Sequence, residues 1–452
     1  MEPVSFVTIF LPLLVGVQPV ELAVTQDVAS VNVILDGAQV AELREAPWTF
    51  EVDFGDDLAP HRLEAEALDA SGVAIGRAAR WINLAHAQAT VEISPVDEQP
   101  GGAAFRVVTR HSGGRLPTSL MVTANGRPMK LREGLWRADA PVGDGSVVVR
   151  AEATYDDGTV AVDHAVFGAE AHDVETQLTA VVIEMGETMT GLPESLDGWF
   201  TVRGEPVKVA AVETPESRVL VVMDDGASTR WLGMRFDSGR NRYKGANYVG
   251  PSSQFTPIDD SDFQSIEGFA EDTSMQVVSA VPGKMGENAL VFPVSAPIPE
   301  PSGYDILTIT TARPEFDRKA PQSLANAVAV AGRMAATRAL RRAVVLIIGK
   351  KAEDHSDHDP DAVRRYLADL GVHLEVWSPE KKKIKKSEWG EVVRTANLRQ
   401  LGDTVRLLRE RLERQRVVWL AGAHLPQDIE LGPEASGVRI AGRLSLIHIS
   451  EP

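Results

Sequence analysis

The sequence predicts a multidomain protein with two immunoglobulin-like β-sandwiches, then a further β block and an α/β domain built on parallel strands. Three observations predict it. The first half is a series of short runs rich in β-branched and apolar residues, punctuated by Asp36-Gly37, Asn125-Gly126 and Asp157-Gly158, dipeptides suited to two-residue hairpins. Two later runs, Val219 to Met223 and Ala343 to Ile348, are apolar throughout, as in strands buried on both faces of a parallel sheet. Beyond Gln322, apolar residues recur at helical spacing between strand-like runs.

Composition narrows the function classes. At 452 residues the chain has room for several domains, and with 44% hydrophobic and 24% charged residues it is ordinary globular material. A formal charge of -18 argues against a general nucleic-acid binder or a protein drawn to anionic membranes. With no cysteine, disulfides, thiolate catalysis and cysteine-ligated zinc are excluded. No run reaches the roughly 18 to 20 apolar residues that span a bilayer. Phe6 to Val17 resembles the core of a signal peptide, but Glu2 precedes it with no basic residue, so it is read as two strands broken at Pro12. Leu444 to Pro452 reads as translated sequencing adapter, and the natural sequence is expected to stop near Arg443.

The first sandwich is expected over 1–86, with strands at Val20 to Val24, Ser30 to Leu35, Trp48 to Phe54 and Arg62 to Leu68. The second, over 87–170, carries strands at Ala104 to Thr109, Ser119 to Thr123, Ser146 to Thr154 and Val160 to Val166. Both contain a strand, an Asp-Gly or Asn-Gly turn, and then a tryptophan, Trp48 or Trp136, before a further strand. That repetition predicts a tandem pair. The β block over 171–215 has strands at Thr176 to Glu184, Trp199 to Val202 and Val207 to Val212, split by the turn Thr190-Gly191-Leu192-Pro193.

The α/β domain is expected over 216–414. Val219 to Met223 opens it, and Gly239 to Ser261, rich in Gly, Asn, Ser, Tyr and Asp, reads as a long loop. Strands follow at Met275 to Ala280, Ala289 to Val294 and Tyr304 to Thr310. A helix over Gln322 to Arg341 shows the stripe Leu324, Ala327, Val328, Ala331, Met334 and Ala335. After the Ala343 strand, Asp359-Pro360 starts a helix over Asp361 to Leu370, which Gly371 ends, and His373 to Trp377 is the next strand. Asn397 to Arg414 places Leu398, Leu401, Val405, Leu408 and Leu412 on one helical face. The strands Val417 to Ala421 and Gln427 to Leu431 are expected to return to the β block, making the α/β domain an insertion within one sheet over 171–215 and 415–443.

This order of parts resembles the von Willebrand factor A-related proteins of Acidobacteria. The echoes are Asp173 to Val182 leading into Thr190-Gly191-Leu192, the phrase Phe200-Thr-Val-Arg-Gly-Glu-Pro-Val207, and Ala343 to Trp377. The resemblance implies a Rossmann-type sheet and a secreted, periplasmic or envelope-associated location. It also implies a metal-ion-dependent adhesion site, in which a hard divalent cation such as Mg²⁺ takes oxygen ligands from an Asp-x-Ser-x-Ser loop, a Thr of a second loop and a later Asp. Asp224 and Ser228 match the outer positions of the first motif, with Asp225 beside them, but Gly226 stands where the first Ser belongs. The second loop, around Gln322 and Ser323, lacks the Thr, and Ile348-Gly349-Lys350 replaces the later acidic residue. Asp224, Asp225 and Ser228 are therefore the metal candidates of a degenerate site, expected to hold no cofactor, or Mg²⁺ or another divalent ion if any.

Other candidates have bland counterparts. Asp354-His355-Ser356-Asp357-His358-Asp359 is the densest His and Asp cluster and suits zinc or another transition ion, against a solvated loop with Asp359 capping a helix. The run Lys381-Lys-Lys-Ile-Lys-Lys386 beside Trp389 reads as a solvated loop rather than an anion patch. Trp48, Trp136, Trp377 and Trp419 read as core. No Gly-x-Ser-x-Gly elbow, phosphate-binding Gly-rich loop, Gly-x-Gly-x-x-Gly or His-Glu-x-x-His occurs. The leading expectation is a non-enzymatic protein-binding or adhesion-like module; the competing one is a metal-dependent hydrolase using Asp224, Asp225, His355 and His358.

Overall fold

A computed structural model describes residues 3–8, 13–84, 89–99, 102–111, 115–132, 134–137, 147–156, 160–167, 174–175, 178–193, 195–224, 266–285, 289–303, 305–306, 321–337, 339–350, 352–380, 384 and 387–443. The first seven strands are β1 (Val4–Phe6), β2 (Val17–Val24), β3 (Ser30–Leu35), β4 (Ala38–Leu43), β5 (Thr49–Asp53), β6 (His61–Leu68) and β7 (Ala74–Ile82). They form two antiparallel sheets in the orders β1-β2-β5 and β4-β3-β6-β7. Alternate residues face inward: Val31 and Val33 of β3 and Leu63, Ala65 and Ala67 of β6 are fully buried, while Glu66 points outward to Arg77. Asp36 and Gly37 both take positive φ, 53° and 86°, the conformation that a two-residue hairpin loop following the strand twist demands.

The next strands are β8 (Ala89–Gln99), β9 (Gly102–His111), β10 (Ser119–Ala124), β11 (Arg127–Pro128), β12 (Lys130–Arg132), β13 (Leu135–Arg137), β14 (Val147–Thr154), β15 (Val160–Phe167) and β16 (Val174–Glu175). Their sheets run β12-β13-β9-β8 and β11-β10-β14-β15-β16. Stripped of the short β12 and β16, this is the first sandwich's strand order again. Asn125 and Gly126 repeat the positive-φ pair, at 46° and 74°. Phe105, Ile93, Val122, Val149 and Ala151 form its core.

A third β body begins with β17 (Leu178–Met185), β18 (Phe200–Val202), β19 (Glu205–Pro206) and β20 (Val209–Glu213). The chain then enters the α/β unit: β21 (Ser217–Met223), β22 (Thr273–Ser279), β23 (Gly283–Met285), β24 (Ala289–Val291), β25 (Ile298–Pro299), α1 (Leu324–Ala335), β26 (Arg341–Ile347), α2 (Pro360–Asp369), β27 (His373–Ser378), β28 (Val392–Arg394) and α3 (Leu398–Arg414). It returns through β29 (Gln415–Ala421), β30 (Ile429–Leu431) and β31 (Val438–Ile440). β29 lies between β20 and β17, β31 pairs with the other edge of β17, and β30 pairs with β18, all antiparallel.

The α/β sheet has the order β25-β22-β21-β26-β27-β28, parallel except for β25 at one edge. Leu220, Val222, Val344 and Leu346 join a core with α1 and α2, while their sequence neighbours Val219, Val221, Ala343 and Val345 join another with α3. Period-two alternation between two apolar layers is why these strands read as unbroken apolar runs.

Several elements differ from expectation. The Gln322 helix ends at Ala335 and Arg341 already belongs to β26, because the Arg341 guanidinium is held by the Pro215 carbonyl and by Asp272. Where a strand was expected from Tyr304, residues 303, 305 and 306 are helical, with Ser302 N–H donating to Asp305 Oδ2 at 2.9 Å and Ile306 N–H to Ser302 O at 3.0 Å. Ser302-x-x-Asp305 is a capping-box pattern, a start signal that outweighed the apolar run. Residues 307–310 of that run lie outside the described residues. Ala289–Val291 pairs with β23 in a hairpin of its own, and the end of the run reaches the large sheet through a bridge from Val294 to Val278. The segment from Gln427 starts as a 3-10 turn, Pro426–Asp428. Strands β4, β7, β8 and β28 were not expected individually; β4 and β7 are sheet edges with mostly exposed side chains, so they lack an apolar signature.

Candidate functional site

The carboxyl ends of β21 and β26 and the start of α1 meet at Asp224. Its N–H donates to the Ile347 carbonyl at 2.8 Å, and its side chain is carried into the interior, the residue being 1% exposed. Oδ1 accepts from Gln322 Nε2 at 2.8 Å, and Oδ2 accepts from the Gly349 N–H at 2.9 Å. Gln322 Nε2 also donates to the Glu353 carbonyl at 2.5 Å, while its own carbonyl accepts from the His355 N–H at 3.0 Å. Asp224 and Gln322 thus knot three loops together at the sheet edge.

Asp354, Ser356 and Asp359 of the His and Asp cluster serve the starts of helices. Asp354 Oδ1 accepts from Leu324 N–H at 2.8 Å and Oδ2 from Ala325 N–H at 3.1 Å, while Ser356 Oγ accepts from Asn326 N–H at 3.0 Å. These are first-turn donors of α1, whose own N-cap residue, Ser323, makes no side-chain cap. Ser356 Oγ in turn donates to Asp354 Oδ1 at 2.6 Å. Asp359 caps α2 by accepting from Asp361 N–H at 2.7 Å. His355 is exposed; His358 is half-buried, and burial pushes its imidazole pKa down against the opposing pull of Asp357. Among the described residues, no group of three His, Asp or Glu converges in an arrangement able to hold a metal ion.

Asp225 and Ser228 lie outside the described residues, as do residues 239–261 and the lysines of 381–386. Ile384 within that run packs on the α/β core. Trp377 and Trp419 are buried, each with its indole N–H donating to a carboxylate, Glu375 Oε2 at 2.8 Å and Glu213 Oε2 at 3.1 Å. Trp48 and Trp136 pack half-buried on their sandwich cores.

Sequence reasoning missed a second polar centre. Glu184 of β17, 3% exposed, accepts from Arg439 of β31 at 2.8 Å and sits 3.4 Å from Arg411 and 3.7 Å from Arg414 of α3. Arg411 also bonds Glu375 of β27 at 2.7 Å, and His373 lies 3.3 Å from the same carboxylate. Burial acts to raise the Glu375 pKa, but its His373, Trp377 and Arg411 partners together outweigh it, and the carboxyl sits below its ordinary value. The available signal was the acidic residue closing the apolar run of β17, with Arg411 and Arg414 three residues apart on a helix.

No family model and no curated protein matches the chain. Among solved structures, the fibronectin(III)-like modules of Clostridium thermocellum CbhA are 18% identical over 18% of this chain and 92% of that chain, with a TM-score of 0.16. The central fibronectin-III array of RIM-binding protein is 13% identical over 41% of this chain and 78% of that chain, with a TM-score of 0.22. The strand orders given above, rather than these partial overlaps, define the two sandwiches.

Proposed function

We propose that the chain is a non-enzymatic, extracytoplasmic protein-binding module of the adhesion type, with a von Willebrand A-like α/β unit whose metal site has been replaced by protein hydrogen bonds. The observation that carries this is the pair of neutral donors on Asp224. A hard cation of the Mg²⁺ kind gathers about six oxygens. Here Gln322 and the Gly349 amide each donate to one oxygen of Asp224, the residue matched to the first ligand position of such a site. Asp354, the other acidic residue at this edge with both oxygens engaged, holds the start of α1. The competing hydrolase would need Asp224 for substrate, water or metal, and both of its oxygens accept protein hydrogen bonds.

Thermal melting in Mg²⁺, Mn²⁺ or Zn²⁺ against a chelator tests this. A ligand at 100 times its Kd adds about 2.7 kcal/mol to stability, a shift of several degrees. The midpoint is expected to stay the same with and without metal. A several-degree rise in one of these metals that disappears in Asp224→Ala would overturn the replaced-site reading. Metal-dependent ester or phosphoester hydrolysis abolished by Asp224→Ala would restore the hydrolase.

A further inference from the structure

We infer that the first sandwich is an intramolecular clamp on the α/β unit: one of its poles completes the core over α2, so that the two unfold as one body. The pole is built from residues 13–15 before β2, 58–60 before β6 and 83–84 after β7. Asn83 fixes these segments to one another. Its Oδ1 accepts from Leu14 N–H at 2.7 Å, and its Nδ2 donates to the carbonyls of Leu14 at 2.7 Å and Ala59 at 2.8 Å. Asn83 does this at φ 57°, a backbone region that asparagine tolerates better than most residues.

The pole held this way presents two things to α2. One is the Asn83 carbonyl, which accepts from the Tyr366 hydroxyl at 2.6 Å across 283 residues of sequence. Tyr366 is wholly buried, so this bond lies out of water. The other is apolar surface: Leu58, 3% exposed, belongs to the core of α1 and α2, and Leu13, Val15 and Leu84 pack against it. At the rim Arg365 pairs with Asp57 at 2.6 Å, a contact between exposed groups that adds little. A second attachment runs to the third β body, where Gln427 Nε2 donates to the Pro60 carbonyl at 2.7 Å and Arg203, paired with Asp428, donates to the Asp36 carbonyl at 3.4 Å.

A sandwich tethered only by its linker would bury no side chain in another unit's core. Here Leu58 of the sandwich, 3% exposed, and Tyr366 of α2, wholly buried, belong to one core. The α/β unit therefore lacks a closed core without the first sandwich, and the face of α2 that carries Tyr366 is covered.

Native-state hydrogen exchange of the full chain in rising denaturant, read on peptides covering β3 and β26, tests the clamp. The expected result is one shared opening for both strands. Tyr366→Phe leaves the buried Asn83 carbonyl without its donor and is expected to speed exchange of both by a common factor of about ten. Leu58→Ala, which alters only the sandwich side, is expected to lower protection at Val363 and Leu367 of α2. The clamp is overturned if β3 opens at lower denaturant while β26 stays protected, or if Leu58→Ala leaves α2 protection unchanged.

Discussion

The titration of His358 bears on stability. Burial holds its folded pKa below the ordinary imidazole value, so the unfolded chain binds the proton more readily. Its contribution is complete above the unfolded pKa of about 6.5 and is lost as pH falls from there through the lower folded value. Denaturant melts at pH 7.5 and 5.5 are expected to show a larger acid loss in the wild type than in His358→Gln; equal losses would refute this. Glu184 makes a different point about buried charge. Three arginines around one carboxylate leave it compensated, and Arg411 alone ties it to Glu375 on the neighbouring sheet.

The starts of the helices show how much of an element comes from outside it. α2 is capped by Asp359, the residue before it, with Pro360 in the first turn, and that pattern was legible because every part lies within three residues. α1 instead borrows Asp354 and Ser356 from a loop thirty residues downstream, past an intervening strand. Asp354→Ala strips two first-turn amides and an anion from the positive end of the helix, and is expected to cost about 1–2 kcal/mol. A melting midpoint several degrees lower would show it, with Asp354→Asn losing less because it keeps an acceptor. An unchanged midpoint would mean that the cap contributes nothing. The hairpins lie at the other extreme, since a two-residue loop with positive φ at both positions is written locally in Asp36-Gly37 and Asn125-Gly126.

At the scale of the molecule, β29 holds the third body together. It is the inner strand between β20 and β17, yet it follows the whole α/β unit in sequence. A chain ending after Arg414 would lose β29, β30 and β31, exposing the buried faces of Val181, Ile183 and Phe200. Such a chain is expected to show no cooperative melt for the third body and to partition into the insoluble fraction, whereas a soluble, cooperatively melting product would disprove the dependence. Arg150 of the second sandwich pairs with Glu213 of this body at 3.7 Å. The attachments of the first sandwich are of another kind, with a shared core and a buried hydrogen bond.

Sequence alone determined what depends on neighbours a few residues apart. That covers the repeated hairpin chemistry, the apolar runs of β21 and β26, the stripe of α3 and the cap of α2. It also pointed to the sheet edge at Asp224, because an apolar strand that stops at a carboxylate marks a carboxyl end. Tertiary structure decided what those polar groups do. Asp224 accepts from N–H groups of Gln322, 98 residues away, and Gly349, 125 residues away. The use of Asp354 as a cap, the arginines around Glu184 and the seating of the first sandwich on Tyr366 are likewise contacts between distant segments. No local pattern encodes them, since each depends on which surfaces the completed sheets bring together and on the cost of leaving a buried polar group without a partner.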